Sequence, residues 1–364
     1  MSRIYLYAVV PAVERPPFDV DGVWPGEPRV QIIRGEALAA VVSAAPPIDF
    51  ATLSRDDAIR YLLAHQRVVE TVMRSSAALP VKFGTTLPDE AAVVRMLVRG
   101  ATVLAPPLAE HSQHVQVELI ITWNIEDILR DVAAEDAVVR LKGEIAAQAD
   151  GATGDQRLAI GKMVKESIDR RRELCRSPIV RAVRSIAADV AENALMDDRM
   201  VANLALLLAK DASDEFDGRL AELDKEFGEL LHFRCIGPLP PYSFATVEVG
   251  LLSFEAIDGA RRALSLGESA GLAEIKSAYH RQIRQVHPDL VMAAPAAPAE
   301  EGGAARLTDA YKTLIKYAEA LPSAAGNEAP GVTGCRFDRS TVEGSILVTV
   351  RRQELAAAHA EAQP

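Results

Sequence analysis

Apolar residues run together over Ile4-Tyr-Leu-Tyr-Ala-Val-Val10 and stop at Pro11. A run this short, rich in β-branched and aromatic residues, predicts a buried strand. Residues 30–33 and 38–42 repeat the signal around a polar link containing Gly35, which predicts a hairpin. Ser54, followed by Asp56 and Asp57, marks a helix start, and Ile59, Leu62, Leu63 and Val69 follow helical spacing as far as about Met73. A short strand over 79–83 comes next, then a helix from Pro88-Asp-Glu90 with Val93, Val94 and Leu97 on its apolar side. Beyond Pro106 and Pro107, residues 114–123 alternate and then become continuously apolar, as in a strand buried on both faces at one end.

From 125 to about 191 the pattern is mainly helical, with breaks at 151–154 and at Ser177-Pro178. The second break predicts a new helix, with Ser177 as cap and Pro178 in its first position. A strand over 200–208, a helix over 215–231 and a last strand over 233–236 follow. That strand meets Gly237-Pro238, and Pro240 and Pro241 hold the backbone extended up to Tyr242 and Phe244. Proline fixes φ and lacks an amide donor, so the segment predicts a strand that leaves its sheet and runs rigidly over the surface.

Farther on, Ile275, Tyr279, Ile283 and Val286 form one stripe of a helix over 273–286, with Lys276, His280, Arg281 and Arg284 largely off it. The helix ends at His287-Pro288-Asp289, and an Ala- and Pro-rich loop covers 291–303. Leu307, Ala310, Tyr311, Leu314, Ala318 and Leu321 mark a second helix, so the two should pack as an antiparallel hairpin. Residues 333–338 and 345–350 read as short extended pieces that either pair with one another or add an edge strand to an earlier sheet.

The chain has 364 residues, enough for two or three domains, and its 49% hydrophobic and 25% charged content is that of a globular protein. A net charge of −11 argues against a general nucleic-acid binder. Three widely spaced cysteines, Cys175, Cys235 and Cys335, show neither disulfide nor metal spacing and fit a reducing cytoplasm. No run reaches the length of a membrane span, and the N-terminal run lacks the continuation of a signal peptide. Between Arg157 and Arg184 nine cations face only Glu166, Asp169 and Glu173; a solvated, ion-paired helix face accounts for them, with docking to an acidic partner or a membrane as the alternative.

Catalysis finds little support. There is no Gly-rich phosphate loop and no nucleophile elbow. His111 and His114 lack further ligands nearby in sequence, and His65 reads as a core or capping histidine. The expectation is a protein that is not an enzyme and needs no cofactor or metal.

The segment Gly237-Pro-Leu-Pro-Pro-Tyr-Ser-Phe244 resembles the hallmark of the gas vesicle protein F/L family (GvpL/GvpF). Three more stretches fall in that family's order: Ile4 to Val10; Leu38-Ala-Ala-Val-Val-Ser43; and His65-Gln-Arg-Val-Val-Glu70 followed by Leu79-Pro-Val-Lys-Phe-Gly84. The hallmark residues are Gly237, Pro238, Pro240, Pro241, Tyr242 and Phe244, and Leu239 departs from the family, which has tryptophan there. Near the C-terminus, Ala263-Leu-Ser-Leu-Gly267, Glu274-Ile-Lys-Ser-Ala-Tyr279, His287-Pro-Asp289 and Asp309-Ala-Tyr-Lys-Thr-Leu314 resemble a J-domain. That resemblance implies contact with a DnaK-type chaperone through Lys276, Arg281, Arg284, His287, Pro288 and Asp289, a cationic face meeting an acidic one.

The expected fold class is α+β. A ferredoxin-like domain over 1–124 is followed by a helical connector and second α+β domain over 125–250, a J-like helical module over 251–325, and an extended tail over 326–364. The resemblance implies a cytoplasmic, vesicle-associated accessory protein that binds the small hydrophobic shell protein and other accessory proteins. A DnaK co-chaperone with unrelated clients is the alternative.

Overall fold

The computed structural model describes residues 3–12, 20–24, 30–46, 50–147, 153–286, 303–320, 334–343 and 345–352. The chain divides into two compact units, Met1–Ala109 with Val247–Val350, and Glu110–Thr246 with Arg351–Pro364. It is a mixed α+β protein whose sheets pair antiparallel.

The first unit begins with β1 (Arg3–Pro11), β2 (Gln31–Arg34), β3 (Leu38–Ala45), α1 (Arg55–Met73), β4 (Leu79–Pro80), β5 (Thr86–Leu87), α2 (Glu90–Arg99) and α3 (Ala101–Glu110). The sheet order is β2-β3-β1-β4, with β5 also on β1. As the apolar run predicts, β1 is the buried centre, and β2 and β3 form the expected antiparallel pair. Ser54 caps α1 by accepting the Asp57 amide. The apolar stripe of α1 does not all face inward: His65, Val68, Val69 and Val72 are buried, whereas Ile59, Leu62 and Leu63 are exposed. Pro106 and Pro107 lie inside α3, which is bent by 72° from α2 at Gly100.

The second unit contains β6 (His114–Thr122), α4 (Ile125–Ala133), α5 (Asp136–Ala146), α6 (Gly154–Arg184), β7 (Asp189–Glu192), β8 (Met200–Ala209), α7 (Ser213–Phe227) and β9 (His232–Leu239). Its sheet runs β7-β8-β6-β9. The strand expected within the first domain, β6, is therefore an inner strand of the second sheet, paired with β8 and β9, partners 78 or more residues ahead that local pattern does not reveal. Leu119, Ile121, Leu204 and Leu206 pack against Ile168, Ile179, Val183 and Phe216 from the helices.

The predicted break at Ser177-Pro178 is absent, and α6 is continuous over Gly154–Arg184 with Pro178 inside. The Ser177 hydroxyl donates to the Glu173 carboxylate one turn back instead of capping a new helix. Burial of Ile168, Ile179, Val180 and Val183 in one core outweighs the local signal. The basic residues of α6 are largely paired: Lys162 with Glu166, Lys165 with Asp169, Arg171 with Asp131 and Glu135, and Arg176 with Glu173 and Glu192.

The chain then returns to the first unit with β10 (Thr246–Leu251), α8 (Phe254–Ala263), β11 (Ser269–Ala270), α9 (Leu272–Val286), α10 (Gly303–Ala320), β12 (Cys335–Arg336), α11 (Arg339–Glu343) and β13 (Ile346–Arg351). Ile257, Leu264, Ile275, Ala278, Leu307, Leu314, Tyr317 and Phe337 form the core of this segment. Tyr279 of α9 stacks on Tyr311 of α10 with ring centroids 4.4 Å apart. The two late extended pieces do not pair with each other: β12 joins β11, and β13 joins β10. Strand β10 also meets the end of β4, where Val81 and Val247 form a parallel bridge and the Lys82 amide donates to the Val247 carbonyl at 2.9 Å.

Candidate functional site

The proline segment is anchored by the strand that precedes it. Sequence reading ends the strand at Ile236; β9 instead continues through Gly237 and Pro238 to Leu239. A sheet edge tolerates proline because the missing amide need not serve a neighbour. Gln116 pairs with Leu239 and Glu118 with Ile236, so Gly237 and Pro238 together face Val117 as a bulge. The Gly237–Pro238 peptide is cis. A side chain at Gly237 would put its Cβ 3.0 Å from the Gln116 carbonyl oxygen and 3.1 Å from Val117 Cγ2, which explains glycine there.

Past the bulge the chain turns tightly. The Tyr242 amide donates to the Pro240 carbonyl at 2.7 Å, and the Phe244 and Ala245 amides donate to Pro241 at 3.0 and 2.8 Å. Pro240, Pro241 and Phe244 are buried and Tyr242 is half-buried, so this is a folded turn rather than an extended run over the surface. Phe244 packs with Ala191, Ala205 and Leu207 on the sheet. Gln116, only 1% exposed, fixes the turn from below: its Oε1 accepts the Ser243 amide at 2.8 Å and its Nε2 donates to Ser243 Oγ at 3.1 Å. The same Nε2 donates to Glu118, whose other oxygen accepts from Asn193 at 3.1 Å. Burial pushes the Glu118 carboxyl above its ordinary value, against the Gln116 hydrogen bond.

Gln116, Glu118 and Ser243 were not singled out from sequence. The available signal was Gln116 and Glu118, two apart on one face of β6, in the stretch where Val115 and Val117 line the other face. The exposed part of the site is β9 itself: Arg234, Cys235 and Ile236 face solvent, and among the described residues β9 pairs only with β6.

The second group of candidate residues lies on α9. Lys276, Arg281 and Arg284 are exposed, opposite buried Ile275 and Ala278. Arg281 lines an open concavity of about 320 Å³ with Ser265, Ser269, Glu274 and Ser277. His287, Pro288 and Asp289 lie outside the described residues. His111 and His114 stand 6.4 Å apart by ring centroid, and among the described residues no three His, Cys, Asp or Glu side chains gather as metal ligands. No single described helix is long and apolar enough to cross a membrane.

The model of the family described as gas vesicle synthesis protein GvpL/GvpF matches residues 3–246. The chain belongs to the GvpL/GvpF family. Gas vesicle protein F of Streptomyces sp. (strain CB03234) is 30% identical over 228 residues, 63% of this chain and 92% of that protein. Gas vesicle protein F of Microcystis aeruginosa (strain PCC 7806) is 28% identical over 190 residues, 51% of this chain and 77% of that protein. Crystal structures of GvpF from Anabaena sp. PCC7120 and from Microcystis aeruginosa share the fold. Their TM-scores are 0.56 and 0.54 at 21% and 24% identity, covering 67% and 66% of this chain and 98% of each of those chains. In this GvpL/GvpF chain the family match takes in the Gln116–Ser243 anchor and ends at the start of β10, so the α9 cations lie beyond it.

Proposed function

We propose that this chain is a gas vesicle assembly accessory protein that binds the small hydrophobic shell protein and holds it ready for vesicle growth. The observation that carries this reading is the exposed edge of β9, seated beside a buried proline turn in the region that matches the family. An unpaired edge can accept a strand from another chain by backbone hydrogen bonding, while its alternate side chains select the partner. Ile236 and Cys235 supply apolar contact on that edge, and Gln116 and Phe244 keep its end rigid, which lowers the ordering cost of binding. A shell subunit that polymerises through apolar surface is protected from premature aggregation while such a contact lasts.

In this reading the N-terminal α+β domain is ferredoxin-like, and the α8–α10 segment is a J-like module that recruits a DnaK-type chaperone to the bound shell protein. The exposed Lys276, Arg281 and Arg284 support the second idea, because they form a cationic helix face of the kind that steers toward an acidic partner. The protein then works at the growing vesicle alongside other gas vesicle proteins.

Co-purification tests the proposal. Wild type and Ile236→Lys are each co-expressed with the shell protein; wild type retains it and the edge variant loses it. In the chaperone arm, wild type stimulates the ATPase of a DnaK-type chaperone, and His287→Gln and Arg281→Glu do not. No shell protein retained by wild type sinks the first claim, and equal ATPase rates for all three sink the second.

A further inference from the structure

We propose that the outer face of α1 docks a second copy of this chain, antiparallel, about a two-fold axis passing between Leu62 and Leu63. Helix α1 is apolar on two sides. Its inner side, His65, Val68, Val69 and Val72, belongs to the unit's own core. Its outer side leaves Ile59, Leu62 and Leu63 exposed by 46%, 38% and 55%, at the i, i+3, i+4 spacing of a helix-packing ridge.

The charges at the two ends of this stripe identify the occupant. With 3.6 residues per turn, Arg55, Ile59, Leu62, Leu63, Gln66 and Glu70 fall within an arc of about 100°. Arg55 stands at one end and Glu70 at the other, and neither side chain makes an ion pair among the described residues. An antiparallel copy places Leu62 on Leu63, Ile59 on Gln66 and Arg55 on Glu70, each pair occurring twice as an isologous contact requires. The stripe thus carries opposite charge at its two ends, the distribution that complements itself under a two-fold rotation. A parallel copy sets like charges together, and an uncharged apolar helix leaves both unanswered.

Analytical ultracentrifugation of the full chain tests the proposal. Wild type sediments as a dimer. Arg55→Glu and Glu70→Arg each weaken the dimer about tenfold, because each homodimer carries like charges at both ends. An equimolar mixture of these two variants restores association as a heterodimer, since every cross pair is then of opposite sign. Leu63→Asp abolishes dimers, and its unchanged far-ultraviolet circular dichroism shows that the loss is not misfolding. A wild type that stays monomeric up to about 100 µM, a range that would still reveal weak association, overturns the proposal. So does a mixture that fails to restore the dimer. Loss of shell-protein binding by Leu63→Asp with no change in mass also overturns it and assigns the stripe to that partner.

Discussion

Gln116 and Ser243 are 127 residues apart, yet one side-chain amide satisfies both the backbone N–H and the hydroxyl of the other residue. The tie connects an inner strand of the second sheet to the turn that follows its edge strand, so the family hallmark owes its shape to a residue outside it. Replacing Gln116 with Leu leaves the buried Ser243 amide without an acceptor. The expected loss is about 1–3 kcal/mol of stability, read by urea unfolding, with faster hydrogen exchange confined to 240–245.

Gly237 is the second fixed point of the turn. Gly237→Ala drives a Cβ toward the Gln116 carbonyl and the Val117 side chain, so β9 must move away from β6. Overpacking of this kind costs about 1–3 kcal/mol. Gly143, which has open space around its Cβ position, provides the control: Gly143→Ala in α5 should be neutral or stabilising in the same unfolding experiment.

His65 gives the first unit a pH dependence. Its Nδ1 lies 2.9 Å from the Tyr5 hydroxyl, and burial holds its pKa down from 6.5 to about 4, with the Val81 carbonyl acting in the opposite direction. The unfolded chain takes up this proton near 6.5 and the folded chain only near 4. Stability therefore falls as pH drops through that window, by about 3 kcal/mol in total. His65→Phe removes this part of the slope between pH 7 and pH 4.5 in urea titrations, although it costs the Tyr5 contact at every pH.

The long runs of apolar residues were readable because pattern alone buries them: β1, β3 and β8 lie where alternation and β-branching put them. Placing β6 within the first domain has a different origin, since pairing is decided by distant strands and not by the strand's own residues. At Ser177-Pro178 a valid local helix-start signal was overruled by the core on both sides of it. The two-faced character of α1 was hidden because periodicity reports an apolar stripe without saying what covers it. The Gln116–Ser243 tie was hidden too, because a side-chain contact across 127 residues leaves no local pattern.

Pro178 offers a direct check of the continuous helix. An internal proline removes one helical hydrogen bond and crowds the preceding turn. Pro178→Ala should stabilise the protein by about 1–2 kcal/mol after allowance for the freer unfolded chain, measured as a higher Tm. A helix that restarted at Pro178 would give a loss instead.

The measurement closest to the central claim is the partition of the shell protein after co-expression and high-speed centrifugation. With the wild-type chain, the shell protein stays in the supernatant as a complex; with Ile236→Lys on the exposed β9 edge, it pellets. A shell protein that pellets equally with wild type and with no partner at all would contradict the account.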